Sequence, residues 1–327
     1  MVRVWLRYLC VFGIVLCGAV AARAQSQPFP LKPITLVVPA SPGGVTDFIA
    51  RAFGQRISES LGQPVVVENK PGATNQIAAE FVAHSAADGY TLLVSPEATF
   101  VINPYLFAKL PYDPAKDFVP VSGMVRIEQA LIVNPSVPVH SVADLIALAK
   151  KEPGTINYGT YGIGSTGHLN MEMFQAMAGV KLVPIHYKGA TPALTDVIAG
   201  HIQMMFISVG SAVEPWKAGK LNLLAIGGKE RLARLPDVPT IAEGGMAGFE
   251  ATSWFGLFAP AGTPPAIVEL LNAQIQRIAG DPQFRATALE PQFLVPMPGS
   301  PKEFSAFVKA DAAKWLRVIR TANVKVE

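Results

Sequence analysis

The residues best placed for chemistry sit in two glycine-bearing turns, each between a short apolar strand and a helical stretch. The first is Ile34-Thr-Leu-Val-Val-Pro-Ala-Ser-Pro-Gly-Gly-Val-Thr-Asp47, ahead of a helix over Phe48 to Leu61. The second is Asn157-Tyr-Gly-Thr-Tyr-Gly-Ile-Gly-Ser-Thr-Gly-His168, ahead of Leu169 to Ala178. A turn of this kind lets backbone approach a ligand and leaves the first amides of the helix unpaired. Such a helix start attracts carboxylate or phosphate, and two of them could grip one small anion from two sides.

Other chemistry fails on spacing. Gly162-Ile-Gly164-Ser-Thr-Gly167 spells the dinucleotide fingerprint between a strand and a helix. The acidic residue that should end the next strand is missing from Leu182-Val-Pro-Ile-His-Tyr187, and no Walker lysine follows the turn. No cofactor is expected. No Gly-x-Ser-x-Gly elbow follows the N-terminal segment, and Ser165 with His168 lacks an evident orienting acid. The histidines at 84, 140, 168, 186 and 201 show no metal-type spacing. Met171, Met173, Phe174 and Met177 recur at helical spacing, as core residues do. Glu97 follows a strand at its carboxyl end, where open α/β sheets hold ligands. It either accepts an N–H or O–H from a ligand or is a solvated loop acid.

Apolar runs alternating with helical patterns must position these turns. Strands are expected at Ile34–Val38, Val65–Glu68, Thr91–Ser95, Ala130–Val133, Ile156–Tyr158, Leu182–His186, Met204–Ile207, Leu223–Ile226 and Trp254–Phe258. The alternation predicts α/β lobes with largely parallel sheets. Helices over Pro264–Ala279, Gln283–Leu289 and Pro301–Ala322 should pack back on the first lobe. Pro111 to Val125 reads as a polar, proline-rich connection. A chain crossing out near Val125 and returning near Ala251 would build the first lobe from two pieces around a hinged cleft.

The ends bound the compartment. Arg3 and Arg7, the apolar Tyr8 to Val20 and Ala22-Arg23-Ala24 read as a signal peptide over residues 1–24, cleaved before Gln25. Cys10 and Cys17 lie inside it, so the mature chain would carry no disulfide and no thiolate ligand. The full chain has 27 Lys+Arg against 24 Asp+Glu, and removing Arg3, Arg7 and Arg23 balances the two. The net charge then gives no support to nucleic-acid binding. Close to 300 remaining residues favour two lobes over one ordinary domain.

Strings spread over the whole mature length resemble the Bug (TctC-like) family of periplasmic solute-binding receptors of tripartite tricarboxylate transporters. They include Lys32-Pro-Ile-Thr-Leu-Val-Val-Pro39, Pro42-Gly-Gly44, Gln63-Pro-Val-Val-Val-Glu-Asn-Lys-Pro-Gly72, Asp88-Gly-Tyr-Thr-Leu-Leu93 and Ile102-Asn-Pro104. Leu110-Pro-Tyr-Asp-Pro114, Tyr187-Lys-Gly-Ala190, Leu235-Pro-Asp-Val-Pro-Thr240 and Ala259-Pro-Ala-Gly-Thr-Pro264 follow in order. The resemblance implies an α/β, two-lobed Venus-flytrap fold that closes on a small carboxylate. The expected division is 25–125 for the first part of lobe 1, 126–250 for lobe 2 and 251–327 for the rest of lobe 1.

By the same resemblance, Ser41, Gly43, Gly44, Thr46 and Asp47 should make the first anion contact, and Ser165, Thr166 and His168 the second. Selectivity should come from Thr74, Asn75, Gln76, Ser95, Glu97, Thr99, Ile207 and Ser208. Many relatives carry Phe-Asp-Asn where this chain has Phe206-Ile207-Ser208, and glycines where Thr74 and Asn75 stand. The expected protein is a monomeric periplasmic receptor, not an enzyme, for a small mono- or dicarboxylate, working with membrane transporter subunits. A periplasmic hydrolase at the same cleft and a receptor signalling to a sensor are the alternatives.

Overall fold

In the computed structural model, which describes residues 29–325, the apolar runs become one ten-stranded mixed sheet with helices on its faces. The signal-peptide expectation falls on residues 1–24, outside the described residues. From Lys32 onward the described residues form a single compact unit.

The chain opens with β1 (Ile34–Val38), α1 (Val45–Leu61), β2 (Val65–Asn69), α2 (Gln76–Ala83) and β3 (Thr91–Pro96). Two single-turn helices follow, α3 (Ala98–Val101) and α4 (Asn103–Leu106). The middle runs β4 (Phe118–Val133), α5 (Val142–Lys151), β5 (Asn157–Thr160), α6 (Thr166–Ala178), β6 (Val183–His186), α7 (Ala190–Ala199), β7 (Met204–Ser208), α8 (Val209–Lys217) and β8 (Asn222–Ile226). The last part is β9 (Thr252–Pro260), α9 (Pro265–Gly280), α10 (Pro282–Phe284), β10 (Leu294–Pro296) and α11 (Pro301–Thr321).

Strand order is β2-β1-β3-β9-β4-β7-β5-β6, with β8 and β10 also paired to β4. The outer strands pair in parallel, β1 with β2 and β3, and β5 with β6 and β7. Every pairing of β4 and β9 is antiparallel, so the expected largely parallel sheets hold only away from the centre. Helical crossovers bury β1, β3, β5 and β7, which suits the apolar runs of β1, β3 and β7, while the edge strands β2 and β6 have no fully buried residue.

The centre also departs from the expected loop at Pro111 to Val125. Phe118–Val133 is one 16-residue strand. Pro120 hides it, because proline argues against a strand interior; here the register with β9 shifts between Pro120 and Ser122, leaving its missing N–H outside the ladder. Phe118–Glu128 pairs with β9, while Gln129–Val133 pairs with β7. The same strand therefore serves both lobes, and it changes partner at Glu128 and Gln129.

Each lobe has its own core. In the first, Val37, Leu93, Phe258, Trp254 and Phe304 pack with Trp315 and Ile319 of α11. Trp254 and Trp315 both donate indole N–H to Asp311 Oδ2, at 2.8 and 3.1 Å. The second lobe buries residues on both sheet faces, Leu131, Tyr158 and Phe206 on one and Ile132, Val197 and Ile207 on the other. Leu169, near the start of α6, joins the first lobe's cluster instead. That contact ties the lobes together beside the cleft.

Candidate functional site

The carboxyl ends of β1, β3, β5 and β7 converge on a cleft of ≈ 680 Å³ between the lobes, the position where open α/β sheets hold ligands. Among the described residues, no lysine, arginine or histidine lines it, and Glu97 is its one acidic side chain. Leu106, Phe107, Ile127, Ile207 and Phe255 supply apolar wall.

The first turn holds itself in shape. Asp47 is 3% exposed and accepts the Gly43 N–H at 2.9 Å, Arg51 Nε at 3.0 Å and Asn69 Nδ2 at 2.9 Å. The Arg51 guanidinium holds its carboxyl down to about 2. Gly43 has φ +84°, a conformation glycine adopts freely. Gly44 donates to the Ser41 carbonyl at 3.3 Å. The Gly43 and Gly44 amides therefore face inward. The first-turn amides of α1, at Val45 to Asp47, remain without intrahelical partners, and Gly44 at its N-cap offers no side-chain cap. Of this turn, Val45 reaches the cleft wall.

The second turn is held by a neutral residue. His168 Nδ1 accepts the Gly164 N–H at 3.1 Å, so the ring proton sits on Nε2, 3.8 Å from Glu172 Oε1. Burial, and secondarily the neighbouring His186, lowers its pKa to about 4. Ser165 Oγ accepts the His168 amide at 3.4 Å, capping α6. The serine thus bonds the histidine's backbone and not its imidazole, so Ser165 has no general base in this arrangement. Gly164, with φ +73°, lies so close to the other lobe that a Cβ there would come within 2.2 Å of Leu106 Cδ1.

The second wall also carries two further helix starts, at Ala190 and at Ser208 with Ser211. Neither α7 nor α8 has a side-chain cap. Together with α6, three helix N-termini face the cleft from this lobe, a partial positive charge made without cationic side chains.

The first wall is different. Glu97 is 1% exposed; its Oε1 accepts Thr166 Oγ1 from the opposite lobe at 2.8 Å and its Oε2 accepts the Trp254 N–H at 3.2 Å. Burial raises its pKa, and the Thr166 bond offsets only part of that. Asn103 donates Nδ2 to the Thr74 carbonyl at 2.8 Å, leaving Oδ1 without a partner. Ala73, Thr74 and Asn75 beside it all have positive φ, at 45°, 52° and 73°. Three consecutive non-glycine residues in the left-handed region store about 1 kcal/mol each, and such strain gathers at binding sites.

Of the residues singled out in the sequence, Thr74, Asn75, Glu97, Ser165, Thr166, Ile207 and Ser208 are brought to the cleft wall. Ser41, Gly43, Gly44, Thr46 and Asp47 lie behind Val45. Gln76 starts α2 away from the wall, and His168 stands behind Gly164. Ser95 and Thr99 are fully buried and bonded to each other, Oγ to Oγ1, at 2.7 Å. Sequence reasoning missed Asn103, Gln129, Tyr161 and Ser253 in the wall. A polar residue opening the apolar run Ala130–Val133 was a usable signal for Gln129. None marked Ser253.

The two-lobed α/β fold with a cleft at the strand ends is the fold of periplasmic binding proteins. The family described as "Tripartite tricarboxylate transporter family receptor" is matched over residues 49–324, and the chain belongs to it. Protein BugT of Bordetella pertussis is 36% identical over 323 residues, covering 98% of this chain and 99% of BugT. The structure of R. palustris Rpa4515 with adipate is 37% identical with a TM-score of 0.81, covering 91% of this chain and 100% of that one. MatC (Rpa3494) from Rhodopseudomonas palustris with bound malate is 32% identical with a TM-score of 0.74, covering 89% and 100%. The family is one of solute-binding receptors, and the TctC/Bug kind of receptor is what this chain is.

Proposed function

We propose that this protein captures a small organic carboxylate by closing its lobes and presents the closed form to the membrane subunits of a tripartite tricarboxylate transporter. The carrying observation is the cleft wall: three helix N-termini from one lobe face it, and among the described residues no cationic side chain lines it. Backbone amides then hold the anion, those at the starts of the three second-lobe helices, with the Ser165, Ser208 and Ser211 hydroxyls beside them. Adipate on Rpa4515 and malate on MatC support a carboxylate as cargo.

Closure is assigned to the two crossings. The β4 strand changes partner at Glu128 and Gln129, and the chain returns at Ala251 and Thr252. Gln129 N–H donates to Ala251 O at 3.3 Å and Gly227 N–H to Gln129 O at 2.7 Å. Lobe 2 then spans about 129–251, a few residues later than the 126–250 division at its start. Ligand touches both walls only in the closed form, so binding shifts the hinge equilibrium.

A thermal-shift screen of the mature chain against aliphatic, aromatic and amino-acid carboxylates tests the cargo. A true ligand at a hundred times its Kd stabilises by about 2.7 kcal/mol, which is a rise of several degrees. A flat response across all carboxylates sinks the assignment.

A further inference from the structure

The two walls of the cleft differ in hydrogen-bonding sense. The second-lobe wall is a donor surface: uncapped helix starts at α7 and α8, and Thr166 beside them. The opposite wall holds acceptors that nothing pairs. Asn103 is 1% exposed, and its Oδ1 has no partner. Its orientation is not free: reversing the amide would set Oδ1 against the Thr74 carbonyl that Nδ2 now faces at 2.8 Å. Gln129, 3% exposed at the strand crossing beside this wall, faces Ser253 Oγ with Nε2 at 3.5 Å and leaves Oε1 unpartnered. Glu97 completes the patch with two carboxyl oxygens that already accept bonds from Thr166 and Trp254.

Buried acceptors left unpaired are costly and rare in folded proteins, and they gather where a ligand completes them. A second carboxylate brought to Asn103, Gln129 and Glu97 would meet two unpaired oxygens and a buried carboxyl, and among the described residues no cationic side chain lines the cleft to offset the repulsion. A hydroxyl or amide N–H would instead satisfy Asn103 and Gln129. Building on the carboxylate-receptor reading above, we propose that the cleft binds a monocarboxylate whose far end carries a neutral hydrogen-bond donor, an amide or a hydroxyl. The carboxylate lies toward the helix starts of the second lobe, and the donor toward Asn103, Gln129 and Glu97. The apolar side chains between the two ends accept the connecting carbons.

Titration calorimetry with length-matched trios tests this: adipate, its monoamide and 6-hydroxyhexanoate, with the corresponding trios of four and eight carbons. At the length that binds best, the amide or hydroxy acid is expected to bind at least about tenfold more tightly than the diacid. A diacid that binds as well or better overturns the inference while leaving the receptor assignment standing. No binding by any of the trios overturns the inference too, and the wider carboxylate screen then decides the fate of the receptor assignment separately.

Two variants give an independent reading. Asn103→Leu and Gln129→Met each remove an unpaired acceptor. Each is expected to weaken the donor-bearing ligand about tenfold, with the diacid binding no more weakly than before. Because Asn103 also supports the Thr74 loop, Gln129→Met carries the test if the first variant folds poorly. Its melting temperature without ligand should stay level or rise, since a buried unsatisfied group has gone. An equal loss for diacid and donor-bearing ligand would count against selection by these acceptors.

Discussion

The two glycine-bearing turns look alike in sequence and are built by opposite means. The first is fastened by charge, with Asp47 held between the Gly43 amide, Asn69 and a half-exposed Arg51. The second is fastened by a buried neutral imidazole, His168 on Gly164. The first stands at the rim, where only Val45 reaches the cleft; the second lies in the wall, pressed against Leu106 of the other lobe. A charged fastening tolerates water and suits a rim. A neutral one avoids placing a cation where the lobes meet, so the field there is set by helix starts and not by a side chain.

Acid should break the comparison most visibly. His168 has a folded pKa of about 4 against an ordinary value near 6.5, so its contribution is present above pH 6.5 and is lost as pH falls toward 4. That loss reaches about 3 kcal/mol. Glu97 works in the opposite sense: its raised pKa favours the folded state at low pH and the benefit declines as pH rises past its ordinary range. Urea midpoints measured against pH should therefore flatten between pH 4 and 6.5 in His168→Gln. An unchanged slope in that variant would place the titration elsewhere.

Next in size is the contact between lobes. Gly164→Ala adds a Cβ against Leu106 at a positive φ and should lower ligand affinity about a hundredfold by calorimetry. Leu106→Ala in the same chain should restore much of it, because the two changes share one space. At the first turn, Gly44 has φ −75° and a Cβ there would find its nearest atom, Ser41 O, at 3.4 Å. Gly44→Ala should change affinity little. Equal losses at the two glycines would erase the distinction between rim and wall.

Thr74→Gly relieves a left-handed β-branched residue and should raise stability by about 1 kcal/mol, read as a higher denaturant midpoint. Smallest of all, Arg51→Gln should shift the melting temperature slightly at low salt and not at high salt, because exposed ion pairs are screened. A salt-independent loss would mean that Arg51 does more than fasten Asp47.

Most of the elements were legible because their patterns are local. Ile34–Val38 is apolar and bounded by prolines, and Val142–Lys151 has Ser141 accepting the Asp144 amide at its start. Phe118–Val133 was not, since Pro120 and Gly123 break its period and all its pairing partners lie far along the chain, in β7, β8, β9 and β10. At the site, the turns announced themselves by glycine, and Glu97 by its place after a strand. Asn103 and Gln129 did not, because an unpaired oxygen is a property of the surroundings and has no signature in the chain. His168 shows the reverse: its type suggested ligand contact, while its bond to Gly164 turns it into internal support.

The strand shared by both lobes has a mechanical consequence. Two bodies joined by loops can swing freely, but these are joined through a ribbon whose two ends are laced to different neighbours in the sheet, at Phe118–Glu128 and Gln129–Val133. Such a ribbon yields by torsion, and torsion pushes back. The receptor should then behave as a leaf spring, with a resting aperture set by twist in the strand and a restoring force that helps to expel cargo once its contacts are broken.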